Sequence, residues 1–367
     1  MSSVIRQRRG PFVPGDQVQL TDPKGRKHLV VLQPGKSFHT HRGSVAHDDL
    51  IGSPEGSVVK SSGGTPYVAL RPLLADFTLA MSRGAAVIYP KDAAQIIAMA
   101  DIFPGARVLE AGAGSGALSC WLLRAVGDSG LLVSYERRAD FADIARQNVE
   151  RFFGGPHPAW QLRTGDLSEL DLPGPDEASM DEGGPDEAGP DLPGPDLPGP
   201  DLPGPDLPGP DLAGPDEAGP DEGGPDVAAV ADEDGPAVIV REEDGGAAAE
   251  GQRFDRVVLD LVAPWEHTGA AARALIPGGL ICCYLATVTQ LSRTVEAIRE
   301  QGSFDEPSAW ETLIRGWHAD GLAVRPEHRM IGHTGFLVTA RRLAAGTVPP
   351  PRRRRPAKGA HEPQEGS

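Results

Sequence analysis

Residues 171–250 cannot contribute to a folded core, and this fixes how the rest of the chain must be assembled. The segment is built mainly from Gly, Pro, Asp, Glu and Ala, and its centre repeats the unit Pro-Gly-Pro-Asp-Leu from Leu192 to Leu212. It holds too little apolar area to offset the entropy of ordering. Dense proline favours an extended, polyproline-like chain, and like charges stretch it further. The reading is a disordered acidic Pro/Gly/Asp-rich insert over 171–251, placed between two strands of one sheet. A linker between two independent domains is the alternative. The run Arg256-Val-Val-Leu-Asp260 favours the first, because it has the length and apolar pattern to continue a sheet begun before the insert.

The insert also decides how net charge is read. It carries 24 Asp or Glu and one basic residue, Arg241, so it supplies −23 of a whole-chain −17 and leaves +6 on the remainder. A positive body can approach a polyanion, so the acidic total does not exclude nucleic acid, although +6 is also ordinary surface charge. The three cysteines, Cys120, Cys282 and Cys283, form no CxxC pair and fit a reducing cytoplasm. Cys282 and Cys283 lie in the apolar run Leu280–Ala286 and read as buried strand residues, with a cross-subunit disulfide as the lesser alternative. Met1–Gly10 has three arginines and no apolar centre, so it is not read as a signal peptide. No apolar run approaches the about 20 residues that span a bilayer.

Around the insert the pattern changes with position. Residues 1–75 read as a small N-terminal β domain, with strands at Gln17–Leu20, His28–Leu32 and Tyr67–Arg71 and turns at Asp22-Pro-Lys-Gly25 and Pro34-Gly35. Residues 76–170 alternate helix and strand. Helices are expected at Asp92–Phe103, Ala117–Val126 and Ala139–Phe153, and strands at Arg107–Glu110, Leu131–Glu136 and Trp160–Arg163. Residues 252–345 continue with a strand at Val257–Leu261, a helix near Thr268–Leu275, a strand at Gly279–Ala286 and a helix at Val288–Gln301. Last come strands at Leu322–Arg325 and Thr334–Arg341. Such alternation makes an α/β fold with a parallel sheet covered on both faces. Residues 346–367, basic at Arg352–Arg355, read as a disordered tail.

The chemistry begins at Leu109-Glu-Ala-Gly-Ala-Gly-Ser-Gly-Ala-Leu118. Gly112, Gly114 and Gly116 follow a strand and open a helix, so the backbone can approach a ligand and the helix start offers free N–H groups. The spacing is G-x-G-x-G, not the dinucleotide fingerprint G-x-G-x-x-G. Glu110 stands where it can meet the ammonium of a methionine moiety. Glu136 and then Arg137 end the next strand, and an acid there suits two ribose hydroxyls. Asp166 follows the third strand, where it can face an adenine amino group while Leu167 donates its backbone N–H. Three acids at three consecutive strand ends around one crevice point to S-adenosyl-L-methionine as cofactor. An NAD enzyme is the alternative, disfavoured because Glu110 would repel a pyrophosphate.

Asp260-Leu-Val-Ala-Pro-Trp265 places an acid, a proline and an aromatic at a strand end. It is similar to the Asn/Asp-Pro-Pro-aromatic motif of amino-directed methyltransferases, with two residues inserted before the proline. Together with Val108–Leu118, Tyr89-Pro-Lys-Asp-Ala-Ala-Gln95, Tyr284-Leu-Ala-Thr-Val-Thr-Gln290, Gly332-His-Thr-Gly-Phe336 and Phe38-His-Thr-His-Arg-Gly43, this resembles the tRNA adenine-N1 methyltransferases that modify adenine-58 in the T loop, the actinobacterial type most closely. The resemblance covers residues 12–170 and 253–345, not the insert or the tail. It implies a Rossmann-like S-adenosylmethionine methyltransferase domain after an N-terminal β domain, a homotetramer, and tRNA as partner. It implies cofactor contacts at Gln95, Glu110, Gly112, Ser115, Glu136, Asp166 and Asp260, and matches Tyr89 and Tyr284 to family tyrosines near the target adenine. Leu109, Ala111, Gly114, Gly116, Leu118, Arg137 and Leu167 beside them complete the expected cofactor set, and Asp260 is also expected to act in catalysis by accepting from the adenine N6 amino group. Trp265 is a further stacking candidate, with core packing as the alternative for each aromatic.

His39, His41, His47 and Asp48 could be read as a zinc site, but no cysteine joins them and the spacing fits no standard structural site, so no metal is expected. Two other function classes stay open: a methyltransferase of the same fold acting on another RNA position, a protein or a small molecule, and a non-catalytic tRNA-binding subunit. The intact Glu110, glycine loop, Glu136 and Asp260 argue against the last.

Overall fold

The computed structural model describes residues 9–84, 86–167 and 253–348. The expected acidic insert, and the expected tail from residue 349, lie outside the described residues. The chain opens with short antiparallel strands. β1 (Gln17–Thr21) pairs with β2 (Lys27–Val31) and with β6 (Pro66–Leu70), and β6 also pairs with β5 (Val58–Lys60). Asp22 holds the β1–β2 turn, its carboxylate accepting from the backbone N–H of Lys24 and Arg26 and from the Arg26 guanidinium. A second hairpin, β3 (Ser37–Thr40) with β4 (Gly43–Ala46), is absent from the expected strands. Its His, Thr, Ser and Gly content carries little apolar alternation. Phe12, Val18, Leu20, Leu32, Val45, Leu50, Tyr67 and Ala69 form the core of this part.

α1 (Leu74–Ala80), a short helix that was not expected, leads out of the β part. The Lys27 ammonium pairs with its Asp76 at 2.6 Å. The α/β part follows as α2 (Pro90–Met99), β7 (Arg107–Ala111), α3 (Ala117–Val126), β8 (Leu131–Glu136), α4 (Ala139–Phe153) and β9 (Trp160–Thr164). After the insert come β10 (Phe254–Leu259), α5 (Thr268–Ala274), β11 (Leu275–Leu285), α6 (Val288–Gln301), β12 (Ser308–Glu311), β13 (Ile314–Asp320), β14 (Ala323–Ile331) and β15 (Phe336–Arg341).

Among the described residues seven strands form one sheet in the order β12-β15-β11-β10-β7-β8-β9. β11, β10, β7, β8 and β9 run parallel, and β15 runs antiparallel between β11 and β12. β9 and β10, which flank the insert in sequence, therefore share a sheet without being neighbours. From β7 the chain winds outward through β8 and β9, then returns to lay β10 on the other side of β7. That reversal opens a crevice beyond the carboxyl ends of β7 and β10, where open α/β sheets bind ligands.

Strand alternation divides the core into two layers. Val108, Leu132, Val258 and Cys282 pack with Phe77, Ile96, Leu122 and Val149 from α1 to α4. Leu109, Val133, Val257 and Cys283 pack with Ala271 and Ile298 of α5 and α6. Cys282 and Cys283 thus point to opposite faces, both fully buried. α2 runs Pro90–Met99, not Asp92–Phe103, because Tyr89 is its N-cap, proline takes its first position, and Asp101 turns the chain out with φ +51°. The expected strand Leu322–Arg325 is the start of the longer β14, which pairs with β13 in a separate two-stranded ribbon. Among the described residues no helix is long and apolar enough to cross a membrane.

Candidate active site

The glycine loop turns directly off β7. Gly112 N–H and Ala113 N–H both donate to the carbonyl of Tyr135, tying the loop to β8. Gly112, Gly114 and Gly116 have φ of +89°, +54° and +78°, a region costly for residues with a side chain. A Cβ on Gly116 would stand 3.0 Å from the Ala145 backbone, so this glycine lets α3 start against α4. Asn148 of α4, buried, donates to the carbonyls of both Ser82 and Ser115, and Ser115 Oγ accepts from Gly84 N–H at 3.2 Å. Residues 82–84 are thereby laid over the loop.

Three carboxylates lie close together at the strand ends that border the crevice. Glu136 Oε2 accepts from Gly114 N–H at 2.8 Å and Oε1 from Arg138 N–H at 3.1 Å. Glu110 is fully buried. Its Oε2 accepts from Ser119 Oγ at 2.7 Å and Ser134 Oγ at 2.5 Å, while Oε1 has no hydrogen-bond partner among the described residues. Burial pushes its carboxyl up to about 7 against those two hydrogen bonds, with Asp260 and Glu136 adding to the rise. Asp260 leaves β10 with its N–H donated to Ala111 at 2.9 Å. Burial and the nearby Glu136 push Asp260 up to about 7 as well. Among the described residues no Lys, Arg or His lies in ion-pair range of these three. The cations go instead to neighbouring acids, Arg137 to Asp166 at 3.4 Å and Lys91 to Asp92 at 2.7 Å.

The other side of the crevice is aromatic. Tyr284 near the end of β11 donates its hydroxyl to the carbonyl of Thr334 at 2.8 Å. Burial first, then the charges of Asp92 and Asp260, hold its hydroxyl well above the usual tyrosine range, and Tyr89 lies close enough to contribute. Tyr89 is exposed at the start of α2. Gln290 ties this wall to the Asp260 loop. Its Oε1 accepts from the N–H groups of Ala286 and Thr287, and its Nε2 donates to Val262 at 2.9 Å.

Residues 10–59 match the TrmI-like N-terminal family, and residues 67–152 and 240–321 match the tRNA methyltransferase complex GCD14 subunit family. The tRNA (adenine(58)-N(1))-methyltransferase TrmI of Thermus thermophilus is 31% identical over 326 residues, 89% of this chain and 96% of that protein. This chain belongs to the TrmI family of tRNA (adenine-58-N1)-methyltransferases.

A second TrmI relative, the tRNA (adenine(57)-N(1)/adenine(58)-N(1))-methyltransferase of Methanocaldococcus jannaschii, is 30% identical over 88% of this chain and 93% of its own. Two solved structures share the fold. An S-adenosylmethionine-dependent O-methyltransferase of Thermotoga maritima has a TM-score of 0.65 at 24% identity, covering 94% of this chain and 96% of that one. The tRNA (m1A58) methyltransferase TrmI of Aquifex aeolicus has a TM-score of 0.62 at 21% identity, covering 91% and 99%. This TrmI-family chain thus has the Rossmann-like S-adenosylmethionine methyltransferase fold.

Within this TrmI-family site the structure brings Glu110, Gly112, Gly114, Glu136, Asp260, Tyr284 and Tyr89 together. Leu109, Ala111, Leu118 and Leu167 are buried in the core, so only their backbone can face a ligand. Asp166 stands at the far end with Arg137 and His267. Gln95 is half-buried on α2. Trp265 is half-buried with the Arg293 guanidinium 5.3 Å from its ring centre. Ser119, Ser134, Asn148, Lys91, Asp92 and Thr334 escaped the sequence reading. Only the motifs Tyr89–Gln95 and Gly332–Phe336 signalled the last three.

Three of the four metal candidates of the β part, His41, His47 and Asp48, are engaged in local hydrogen bonds. His47 Nδ1 accepts from Gln33 N–H, Asp48 accepts from Gly35 N–H, and His41 Nε2 accepts from Arg42 Nε–H. Among the described residues no group of three or more His, Cys, Asp or Glu is placed to hold a metal.

Proposed function

We propose that this chain transfers a methyl group from S-adenosylmethionine to N1 of adenine-58 in the T loop of tRNA. The observation that carries the reading is the clustering of Glu110, Glu136 and Asp260 at the strand ends with no basic partner among the described residues. Such a cluster costs free energy by itself and favours a cationic ligand. The unpaired Glu110 Oε1 and the side-chain-free glycine loop fit the same group. Gly112, Gly114, Ser115, Glu110, Glu136 and Asp166 are the residues that would hold the cofactor, which supplies an activated methyl group on a sulfonium.

The chain's own part is orientation and charge. Adenine N1 already has a lone pair, so no general base is needed before attack. N1 becomes positive as the bond forms. Asp260, as a carboxylate, accepts from the adenine N6 amino group and stabilises that charge. Tyr89 and Tyr284 hold the base, which must first leave the packed tRNA elbow. A direct check compares tRNA transcripts with adenine or guanine at position 58; the first accepts methyl and the second does not, and equal labelling overturns the assignment of the base.

The same reading includes a homotetramer in the cytoplasm. The β13–β14 ribbon supports self-association, since its pairs Trp317–Pro326 and Ala319–Val324 place apolar residues on one face. Ile314, Ile331, Trp317 and Val324 are all exposed in the single chain. Buried Cys120, Cys282 and Cys283, all reduced, suit the compartment. Light scattering on the purified protein reads the mass, and a monomer removes the tetramer.

A further inference from the structure

Behind Tyr284 lies a charged pair that the chemistry above does not use. Lys91 and Asp92, consecutive residues in the first turn of α2, are both buried, with Lys91 Nζ 2.7 Å from Asp92 Oδ1. Lys91 Nζ also donates to the carbonyl of Thr312 at 2.6 Å. The other oxygen of Asp92, Oδ2, accepts from the Thr334 hydroxyl. Thr334 is the residue whose backbone carbonyl receives the Tyr284 hydroxyl at 2.8 Å. A continuous path therefore runs from Lys91 through Asp92 and Thr334 to Tyr284.

The segment around Thr334 is fixed from both sides. His333 lies 3.0 Å from Glu311 Oε2 through Nδ1 and 3.1 Å from the Ala286 carbonyl through Nε2. A Cβ on Gly335 would stand 2.4 Å from the Tyr284 ring and 2.7 Å from its oxygen, so the ring rests against bare backbone. Removing two charges from water is costly unless they fix something. If the pair only tethered α2 to the loop after β12, the Lys91–Thr312 contact would suffice. Instead, the second oxygen of Asp92 is spent on the side chain that carries the acceptor of Tyr284.

We propose that the Lys91–Asp92 pair is a positioning device for methyl transfer, holding Tyr284 through Thr334. The proposal rests on the reading that Tyr284 flanks the target base. Asp92 and Thr334 touch neither the base nor the cofactor; their effect is on the angle of one aromatic ring.

Thr334→Val cuts the path while leaving both charges and the backbone carbonyl in place, and Thr334→Ser restores the hydroxyl. The full chain has four tyrosines, so ring carbon-13 labelling gives a resolvable spectrum, with Tyr284 identified by Tyr284→Phe. The Tyr284 resonance moves in Thr334→Val and returns in Thr334→Ser, while those of Tyr67 and Tyr135 stay. Turnover on tRNA falls roughly ten-fold in Thr334→Val with cofactor affinity unchanged, and the loss vanishes in a Tyr284→Phe background. If Thr334→Val does not fold, Asp92→Asn weakens the same contact from the other side and must move the same resonance. An unmoved Tyr284 resonance, or a turnover loss that adds to that of Tyr284→Phe, overturns the proposal. A wild-type protein that leaves tRNA unmethylated overturns the assigned reaction instead, and the resonance still decides the path.

Discussion

The carbonyl oxygen of Asp260 occupies the place a side chain on Gly112 would need: a Cβ there would stand 2.0 Å from it. The glycine loop after β7 and the acid after β10 are thus packed backbone to backbone, and the donor side and acceptor side of the crevice share one wall.

Gly112→Ala should therefore disturb both sides at once. The new methyl group clashes with backbone, and φ of +89° is strained for alanine, about 1–2 kcal/mol before any clash. Calorimetric titration with S-adenosylmethionine should show affinity weakened roughly ten-fold or more. Unchanged affinity would mean the loop relaxes freely and does not shape the site.

Asp260→Asn keeps size and fold but cannot carry the negative charge that stabilises the methylated base. Turnover should drop about 100-fold, with cofactor binding retained. Burial and Glu136 push Asp260 up to about 7 in the unliganded protein, and the ionised form is the active one, so wild-type kcat/KM for the cofactor rises with pH through that region. The residual activity of the variant should lack this rise. A variant retaining the same pH limb would assign the titration to another group.

Glu110 makes the unliganded fold sensitive to pH in a definite direction. Its carboxyl titrates near 4.5 in the unfolded chain and at about 7 when folded. Between those values the folded state binds more protons, so its contribution to stability is full below pH about 4.5 and is lost as pH rises through about 7. Glu110→Gln removes that loss. Urea unfolding should show the variant gaining on wild type by on the order of 3 kcal/mol between pH 4.5 and 7.5. A gap that stays constant would mean Glu110 is not held protonated by its burial.

Deleting residues 173–245 should leave methyl transfer largely intact. The deletion keeps 16 residues between β9 and β10, about 50 Å of extended chain. β10 lies three strand spacings from β9, about 14 Å across the sheet, plus the length of a strand to return. Soluble expression and turnover within a few-fold of wild type are expected. Loss of folding would show that the acidic segment supports the sheet.

Much of this architecture is legible in the sequence, and the reasons are local. α3, α4 and α6 start and stop where expected because their ends carry strong signals: Gly116 and Gly127 around α3, Gly154 after α4, and the Thr287–Gln290 capping box and Gly302 around α6. Glu110, the glycine loop, Glu136 and Asp260 are legible because each sits at the end of a strongly apolar strand. Of the β13–β14 ribbon only the start of β14 is expected from the sequence and β13 is missed, since both strands are largely exposed and lack a buried face to impose alternation. Lys91 and Asp92 went unread because adjacent opposite charges in a first helical turn look like solvated surface. Only the packing of Thr312 and Thr334, more than 200 residues away, makes them interior.

The central claim is that this crevice methylates N1 of adenine-58. Full-length protein incubated with methyl-labelled S-adenosylmethionine and unmodified tRNA, followed by digestion to nucleosides, tests it most directly. The account predicts label in 1-methyladenosine, at position 58. Bound cofactor with no label in tRNA, or label in any other nucleoside, would contradict it.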